Sequence, residues 1–146
     1  MLRRVWTMAM MSRADRSLLL RAFWVVVAVR VGLAVLPFAF VERLLGRLAR
    51  VTATRTPRHE LVPSIVSAVT VAANHVPGSS CLTRALATRS LLARYRVSTH
   101  LCIGFGRGQG GVMWGHAWLE REGIVVMGDG ELTGSASLRL PPDGAA

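Results

Sequence analysis

The sequence predicts an α+β fold in which N-terminal helices are followed by an antiparallel sheet. Between about residue 12 and residue 96, apolar residues recur at helical spacing. After Val97 the pattern changes to alternation, in short segments separated by glycine-containing turns. Helices and strands that are segregated along the chain in this way indicate an α+β fold rather than an alternating α/β fold.

One domain is predicted for residues 1–146. This length is enough to build a core, and neither a repeat nor a long linker divides the chain. Within the domain we predict apolar, Arg-rich helices over residues 1–50, a core that carries the candidate site over residues 60–135, and a tail over residues 136–146. Fraying is expected for its end, "LPPDGAA".

Two helices are predicted in the N-terminal part. The first begins at a cap, Ser12 or Asp15, and ends near Leu36, because Pro37 cannot continue it. The second covers residues 40–51, with apolar residues at helical spacing and Arg on the other face.

The first of these helices also has the apolar character of a membrane span. Arg21 and Arg30 interrupt it, and an Arg at the centre of a span costs roughly 2.5–3.5 kcal/mol on insertion. We therefore expect a helix that is buried in the protein or lies against a membrane surface or a partner. The expected location is the cytoplasm, with peripheral membrane contact left open.

Two further helices precede the strands. A polar loop leads into a helix over residues 60–76, which ends at the turn "PGSS". The next helix begins near Cys81, with Ser79 or Ser80 as its cap, and ends near Arg96.

Three strands complete the predicted fold. The first lies in "VSTHLCIGFG", the second is "MWGHAWLE" and the third is "GIVVMG", which follows the turn "REG". Alternation divides the first strand between an apolar face, with Val97, Thr99, Leu101, Ile103 and Phe105, and a polar face, with Ser98, His100 and Cys102.

The charge is strongly positive. The formal net charge is +10, and all 18 basic residues are Arg, so the absence of Lys excludes Schiff-base and lysine general-base chemistry. The balance favours an acidic peptide, a nucleic acid or a lipid surface as partner, although Arg on helices is also typical of a solvated face. We do not expect nucleic-acid binding, because no reader motif is present.

The cysteines and glycines predict no cofactor and no metal. Cys81 and Cys102 do not form a CxxC pair, and no paired His stands at ligand spacing. Two cysteines also make no disulfide framework, which fits a reducing compartment. The segment "GFGRGQGG" lacks the lysine of a phosphate-binding loop and joins two strands, so we do not expect a nucleotide.

Three residues could together form a catalytic triad. Cys81 stands at the first turn of a helix, where the partial positive charge of the helix stabilises a thiolate. His116 lies on the second strand and Asp129 follows the third, so a hairpin would bring Asp129 beside His116. Each of the three also has a structural interpretation: Cys81 as a core cysteine, His116 as a half-buried histidine and Asp129 as a turn residue.

The other candidate residues are expected to have structural roles. Cys102 is expected in the core, and His100 could neighbour His116 across the strand pair. His75 could line a cleft, whereas His59 lies in a polar loop and is expected to be solvated.

A long run of sequence resembles the leader peptidases of lasso-peptide biosynthesis. The run is "VPGSSCLTRALATRSLLARYRVSTHLCIGFGRG", followed by "GHAWLE" and "GIVVMGD". The upstream "RSLLLRAFWVVVAVRVGLAVLPF" is similar to the N-terminal helices of that family. The resemblance implies a transglutaminase/papain-like cysteine protease core, as in microcin-processing proteins, with Cys81 as nucleophile, His116 as base and Asp129 as the residue that orients it. Glu131 is the fallback for Asp129, whose segment matches less closely.

The resemblance also implies partners. The substrate would be a ribosomally made precursor peptide, recognised through a separate leader-binding protein, and a macrolactam-forming cyclase would close the freed core. From their charge and apolarity alone, the Arg-rich N-terminal helices are the candidate docking surface for the leader-binding protein or the cyclase. Two other readings stay open: an acyl transferase of the transglutaminase type, and a non-catalytic scaffold that associates with a membrane.

Overall fold

The predicted order of helices and strands is confirmed. The computed structural model describes residues 12–107, 113–128 and 136–141. In these residues four α-helices precede a four-stranded antiparallel sheet. The helices are α1 (Arg13–Val35), α2 (Phe38–Val51), α3 (Val62–Ala73) and α4 (Cys81–Arg94), with a 3₁₀ helix at His59–Leu61. The strands are β1 (His100–Arg107), β2 (Met113–Arg121), β3 (Ile124–Met127) and β4 (Ala136–Leu140).

Local chemistry sets the start of α1. The hydroxyl of Ser12 accepts a hydrogen bond from the backbone N–H of Asp15 at 3.1 Å. The carboxylate of Asp15 in turn accepts one from the backbone N–H of Ser12 at 3.3 Å. This capping box satisfies two N–H groups that have no partner inside the helix, so both predicted cap residues take part in it.

The ends of the later helices differ slightly from the prediction. The predicted helix over residues 60–76 is a 3₁₀ turn followed by α3, because Pro63 has no backbone N–H and fits only the first turn of an α-helix. Helix α4 ends at Arg94 rather than near Arg96, since Arg96 adopts a left-handed backbone with φ 54°.

The sheet has the strand order β3-β2-β1-β4, with antiparallel neighbours throughout. Strands β2 and β3 form the predicted hairpin, and its two turn residues, Glu122 and Gly123, have φ of 52° and 80°, as tight hairpin turns require. The predicted tail was wrong for residues 136–140, which form β4 and pair with β1. The pairing supplies partners for backbone groups along an edge that β1 would otherwise expose.

Helix α4 lies at the centre of the core. It packs against α1, α2 and α3, and among the described strands it contacts β2 most extensively. Leu86 and Leu92 of α4 share this core with Leu101 of β1 and Leu119 of β2. The predicted apolar face of β1 is therefore confirmed at Leu101, but Phe105 at the far end of the strand is 51% exposed.

A buried arginine ties α4 to the edge of the fold. Arg89 is 4% exposed, and its guanidinium bonds to a carboxylate oxygen of Glu42 at 3.1 Å. It also donates to the carbonyl oxygen of Pro141 at 2.7 Å. One side chain thus joins α4 to α2 and to the end of β4, and the pairing offsets the cost of burying a charge.

Candidate active site

Cys81 is the first residue of α4, as predicted. Ser80 is the N-cap, and its hydroxyl accepts a hydrogen bond from the backbone N–H of Thr83 at 3.2 Å. The backbone N–H groups of Cys81 and Leu82 have no acceptor inside the helix by position. Cys81 itself is half-buried and packs against the core. A thiol here stands at the positive end of a helix, beside N–H groups that suit a developing oxyanion.

The turn before Cys81 is packed against an arginine of α1. Gly78 has φ +72°, and a Cβ added there would lie 2.9 Å from Nη2 and 3.0 Å from Nε of Arg30. The Nε atom of Arg30 and the hydroxyl of Ser79 are both buried and have no hydrogen-bond partner among the described residues. Arg30, which interrupts the apolar sequence of α1, therefore contacts the turn that leads into the candidate nucleophile Cys81.

Gly78→Ala is expected to destabilise the protein by about 1–2 kcal/mol, because a side chain is strained at this backbone conformation, and to lower activity by disturbing the turn. The free energy of unfolding from urea titration measures the first effect. Gly123→Ala is the matched control, since Gly123 has φ +80° but nothing within 4 Å of an added Cβ. An equal loss in the free energy of unfolding for Gly78→Ala and Gly123→Ala would show that the contact with Arg30 is unimportant.

His116 lies in β2, where its cross-strand partner on β1 is Gly104. The residue is half-buried, and its Nε2 atom is buried without a hydrogen-bond partner among the described residues. Its ring stacks on that of Trp118, with 6.1 Å between ring centroids and 17° between planes. The unpartnered ring nitrogen is what a general base would use, because a base needs a free acceptor.

A polar chain runs along the same face of β2. The indole N–H of Trp118 donates to Glu120 at 2.9 Å, and the other carboxylate oxygen of Glu120 forms a salt bridge with Arg139 of β4 at 3.1 Å. The predicted sharing of one face by His116, Trp118 and Glu120 is confirmed. Arg139 was missed because its strand was predicted to be part of a tail.

The structure packs the elements that carry Cys81 and His116 against each other. Helix α4 contacts β2 directly, yet no hydrogen bond joins the two side chains in the described part of the chain. Ala117 and Leu119 point into the core, so strand alternation directs His116 to the other face. The packing of α4 on β2 therefore does not bring the side chains of Cys81 and His116 together, and the predicted pairing stays a prediction.

Asp129 and its fallback Glu131 lie outside the described residues. The described range 113–128 ends one residue before Asp129, at Gly128, where an added Cβ would lie 3.0 Å from Cβ of Trp118 and 3.2 Å from the carbonyl oxygen of Ala117. The end of β3 therefore returns beside the middle of β2, as the hairpin required. The assignment of an orienting carboxylate stays a prediction.

Cys102 is buried on the face that carries Trp118. Burial raises the pKa of its thiol to about 11, and the negative charge of Glu120 adds to this while Arg139 opposes it. At neutral pH this sulfur is a thiol rather than a thiolate, and the thiolate is the nucleophilic form. Its burial and raised pKa therefore argue against Cys102 as the nucleophile.

Cys81 is expected to be alkylated by iodoacetamide at pH 7.5 much faster than Cys102, as read by peptide mass spectrometry. Labelling of Cys102 should rise only as the pH approaches 11. Equal labelling of both cysteines in the folded protein would contradict this difference in reactivity.

The free energy of unfolding should also fall as the pH rises above 9.0, the ordinary pKa of a thiol. The reason is that the Cys102 thiol of the unfolded chain loses its proton before the buried thiol of the folded protein does.

The remaining histidines lie elsewhere. His100 pairs with Glu120, so the predicted proximity to His116 was wrong, because the register sets them four residues apart along the ladder. His75 is exposed and its Nδ1 lies 2.8 Å from the carbonyl oxygen of Val71. His59 is exposed, as predicted. In the described ranges, no group of three or more His, Cys, Asp or Glu side chains is placed to hold a metal ion.

A cavity of about 380 Å³ lies away from these residues. Arg50, Arg96 and Thr99 are among its lining residues, between the ends of α2 and α4 and the start of β1. It is at the opposite end of α4 from Cys81, so it does not mark the candidate site.

A comparison with known families matches the part of the chain that carries the candidate site. The family model described as the transglutaminase-like superfamily matches residues 23–138. The match begins in α1, ends in β4, and includes Cys81, His116 and Asp129. No curated protein and no solved structure gives a significant match.

Proposed function

From the premise that this chain belongs to the transglutaminase-like superfamily, we propose that it is a cysteine peptidase with Cys81 as nucleophile and His116 as base. The observation that carries the proposal is the placement of Cys81 at the capped start of α4, beside backbone N–H groups that suit a developing oxyanion. The unpartnered ring nitrogen of His116 supports its role, and Asp129 is the proposed orienting residue.

The proposed substrate is a lasso-peptide precursor, from which the enzyme removes the leader. This finer proposal rests on the resemblance of the segments around Cys81 and His116 to leader peptidases of that pathway. A separate leader-binding protein would present the precursor, and a macrolactam-forming cyclase would use the freed core. The proposed place of the reaction is the cytoplasm.

The reaction would proceed through an acyl-enzyme. The Cys81 thiolate attacks the carbonyl carbon of the last leader residue, and N–H groups at the start of α4 stabilise the oxyanion. His116 donates its proton to the departing amine, which becomes the N-terminus of the core. A water molecule, deprotonated by His116, then attacks the thioester carbonyl and releases the leader as a carboxylic acid together with the Cys81 thiol.

Mass spectrometry of a cognate precursor, incubated with this protein and the leader-binding protein, tests the proposal. The expected products are a leader fragment and a linear core whose masses sum to that of the precursor plus one water. A product with a new isopeptide bond and no released leader acid would instead indicate acyl transfer. An intact precursor, with binding to the partner demonstrated, would favour a non-catalytic scaffold.

A further inference from the structure

Helix α2 presents three different faces. One face, with Val41 and Ala49, is buried against the rest of the domain. A second, apolar face points outward, and its four side chains are 43–85% exposed. We call this face the α2 apolar stripe; its members are Phe40, Leu44, Leu48 and Val51.

A row of arginines runs beside the α2 apolar stripe. Arg43, Arg47 and Arg50 are exposed, and at 100° per residue they occupy the arc of α2 next to the stripe. They form no salt bridge within the described residues. The acidic side chains of the N-terminal half are engaged elsewhere, because Glu42 pairs with Arg89, Glu60 pairs with Arg58 and Asp15 belongs to a capping box. Among the described residues, therefore, no acidic side chain forms a salt bridge that neutralises the charge of this row.

Helix α1 also exposes apolar side chains. Its outward side carries Leu20, Trp24, Val31 and Val35, and the exposed Leu36 leads on towards Phe40 of α2. Among the described helices, α1 is long and apolar enough to cross a membrane by length and composition. Its opposite side, with Ala22, Val26 and Val29, belongs to the domain core. Crossing a membrane would remove these side chains from the core, whereas lying along a membrane surface would not.

We propose that the α2 apolar stripe and its arginine row bind the surface of an anionic membrane. An apolar strip that runs parallel to a cationic strip is the pattern of a helix that lies in the lipid interface. The long stems of Arg can lie along the acyl chains while the guanidinium groups reach lipid phosphates. The apolar strip then contacts acyl chains, and the cationic strip contacts lipid phosphates.

The composition of α2 favours lipid over a protein partner. Protein interfaces form about one hydrogen bond per 100–200 Å² and are rimmed by mixed polar groups. Helix α2 contains no Ser, Thr, Asn, Gln or Tyr, so its outward side offers only arginine and apolar side chains. The proposal does not depend on peptidase activity and can be tested with the full-length Cys81→Ala variant.

Vesicle co-sedimentation tests the proposal directly. We expect the protein to bind vesicles that contain phosphatidylglycerol, weakly or not at all to bind pure phosphatidylcholine, and to be released as salt screens the charges. Arg43→Gln with Arg47→Gln should lower the partition coefficient by roughly 25-fold, at about fivefold for each Arg. Leu44→Glu with Leu48→Glu should lower it by at least about tenfold.

Matched controls distinguish the role of the α2 surface from the general effect of adding or removing a charge. Ile124→Glu makes the same kind of change at an exposed side chain of β3, and Arg121→Gln removes an arginine from β2; both should leave vesicle binding unchanged. Thermal unfolding confirms that each variant is folded.

Four outcomes would overturn the proposal. The first is no binding to anionic vesicles, and the second is vesicle binding that the α2 variants leave intact. The third is resistance of the bound protein to carbonate extraction, which indicates a membrane span. The fourth is that the α2 variants lose binding to a protein partner but keep binding to vesicles.

Discussion

Replacement of Cys81 by Ala is expected to abolish precursor cleavage, with a fall in rate of at least about 10³-fold. Without the sulfur no thioester can form, and only binding and oxyanion stabilisation remain to accelerate hydrolysis. Single-turnover kinetics, followed by mass spectrometry with the leader-binding protein present, measure the effect. Binding of the precursor should persist, because the substitution removes one atom from a half-buried side chain.

Cys102→Ala is the control that separates catalysis from packing. Cys102 is buried within the sheet, so its replacement should leave cleavage close to wild type and instead lower the free energy of unfolding by about 1 kcal/mol. The reverse pattern, with activity retained in Cys81→Ala and lost in Cys102→Ala, would return Cys81 to a structural role. Loss of both activity and folding in Cys81→Ala would leave Cys81→Ser, which preserves size, to decide the question.

Local signals in the sequence predicted the helices and the start of the site. Ser12 and Ser80 are caps because their hydroxyls satisfy backbone N–H groups a few residues ahead, and that chemistry needs no knowledge of the rest of the fold. The position of Cys81 at a helix start followed from the same reasoning. The alternation of His116, Trp118 and Glu120 is equally local, because neighbouring side chains of a strand point to opposite faces.

Features that depend on distant parts of the chain were not predicted. Strand β4 is five residues long, and it is a strand because β1 supplies its hydrogen-bond partners. Its misassignment concealed the salt bridge between Arg139 and Glu120. The contact of Arg30 with Gly78 joins residues 48 positions apart, and no periodicity reports such a contact. The register that sets His100 opposite Glu120 likewise arises from pairing between strands.

The second large effect is expected for His116→Gln, which should lower kcat for precursor cleavage by about 10²–10⁴-fold, the range that a general base contributes. Glutamine keeps a polar group of similar reach but cannot carry a proton between the thiol and the leaving amine. The change removes the stacking on Trp118, but it breaks no hydrogen bond at Nε2, which has no partner among the described residues. Precursor binding should therefore stay near wild type while kcat falls.

His75→Gln is the matched control, because His75 is exposed at the end of α3 and hydrogen-bonds only to its own helix in the described structure. It should cleave at the wild-type rate. Comparison with the Cys81→Ala variant adds a stricter test: if the two residues act as one unit, the double variant His116→Gln with Cys81→Ala should be no slower than Cys81→Ala alone. Near-normal cleavage by His116→Gln, with Cys81→Ala inactive, would require another base.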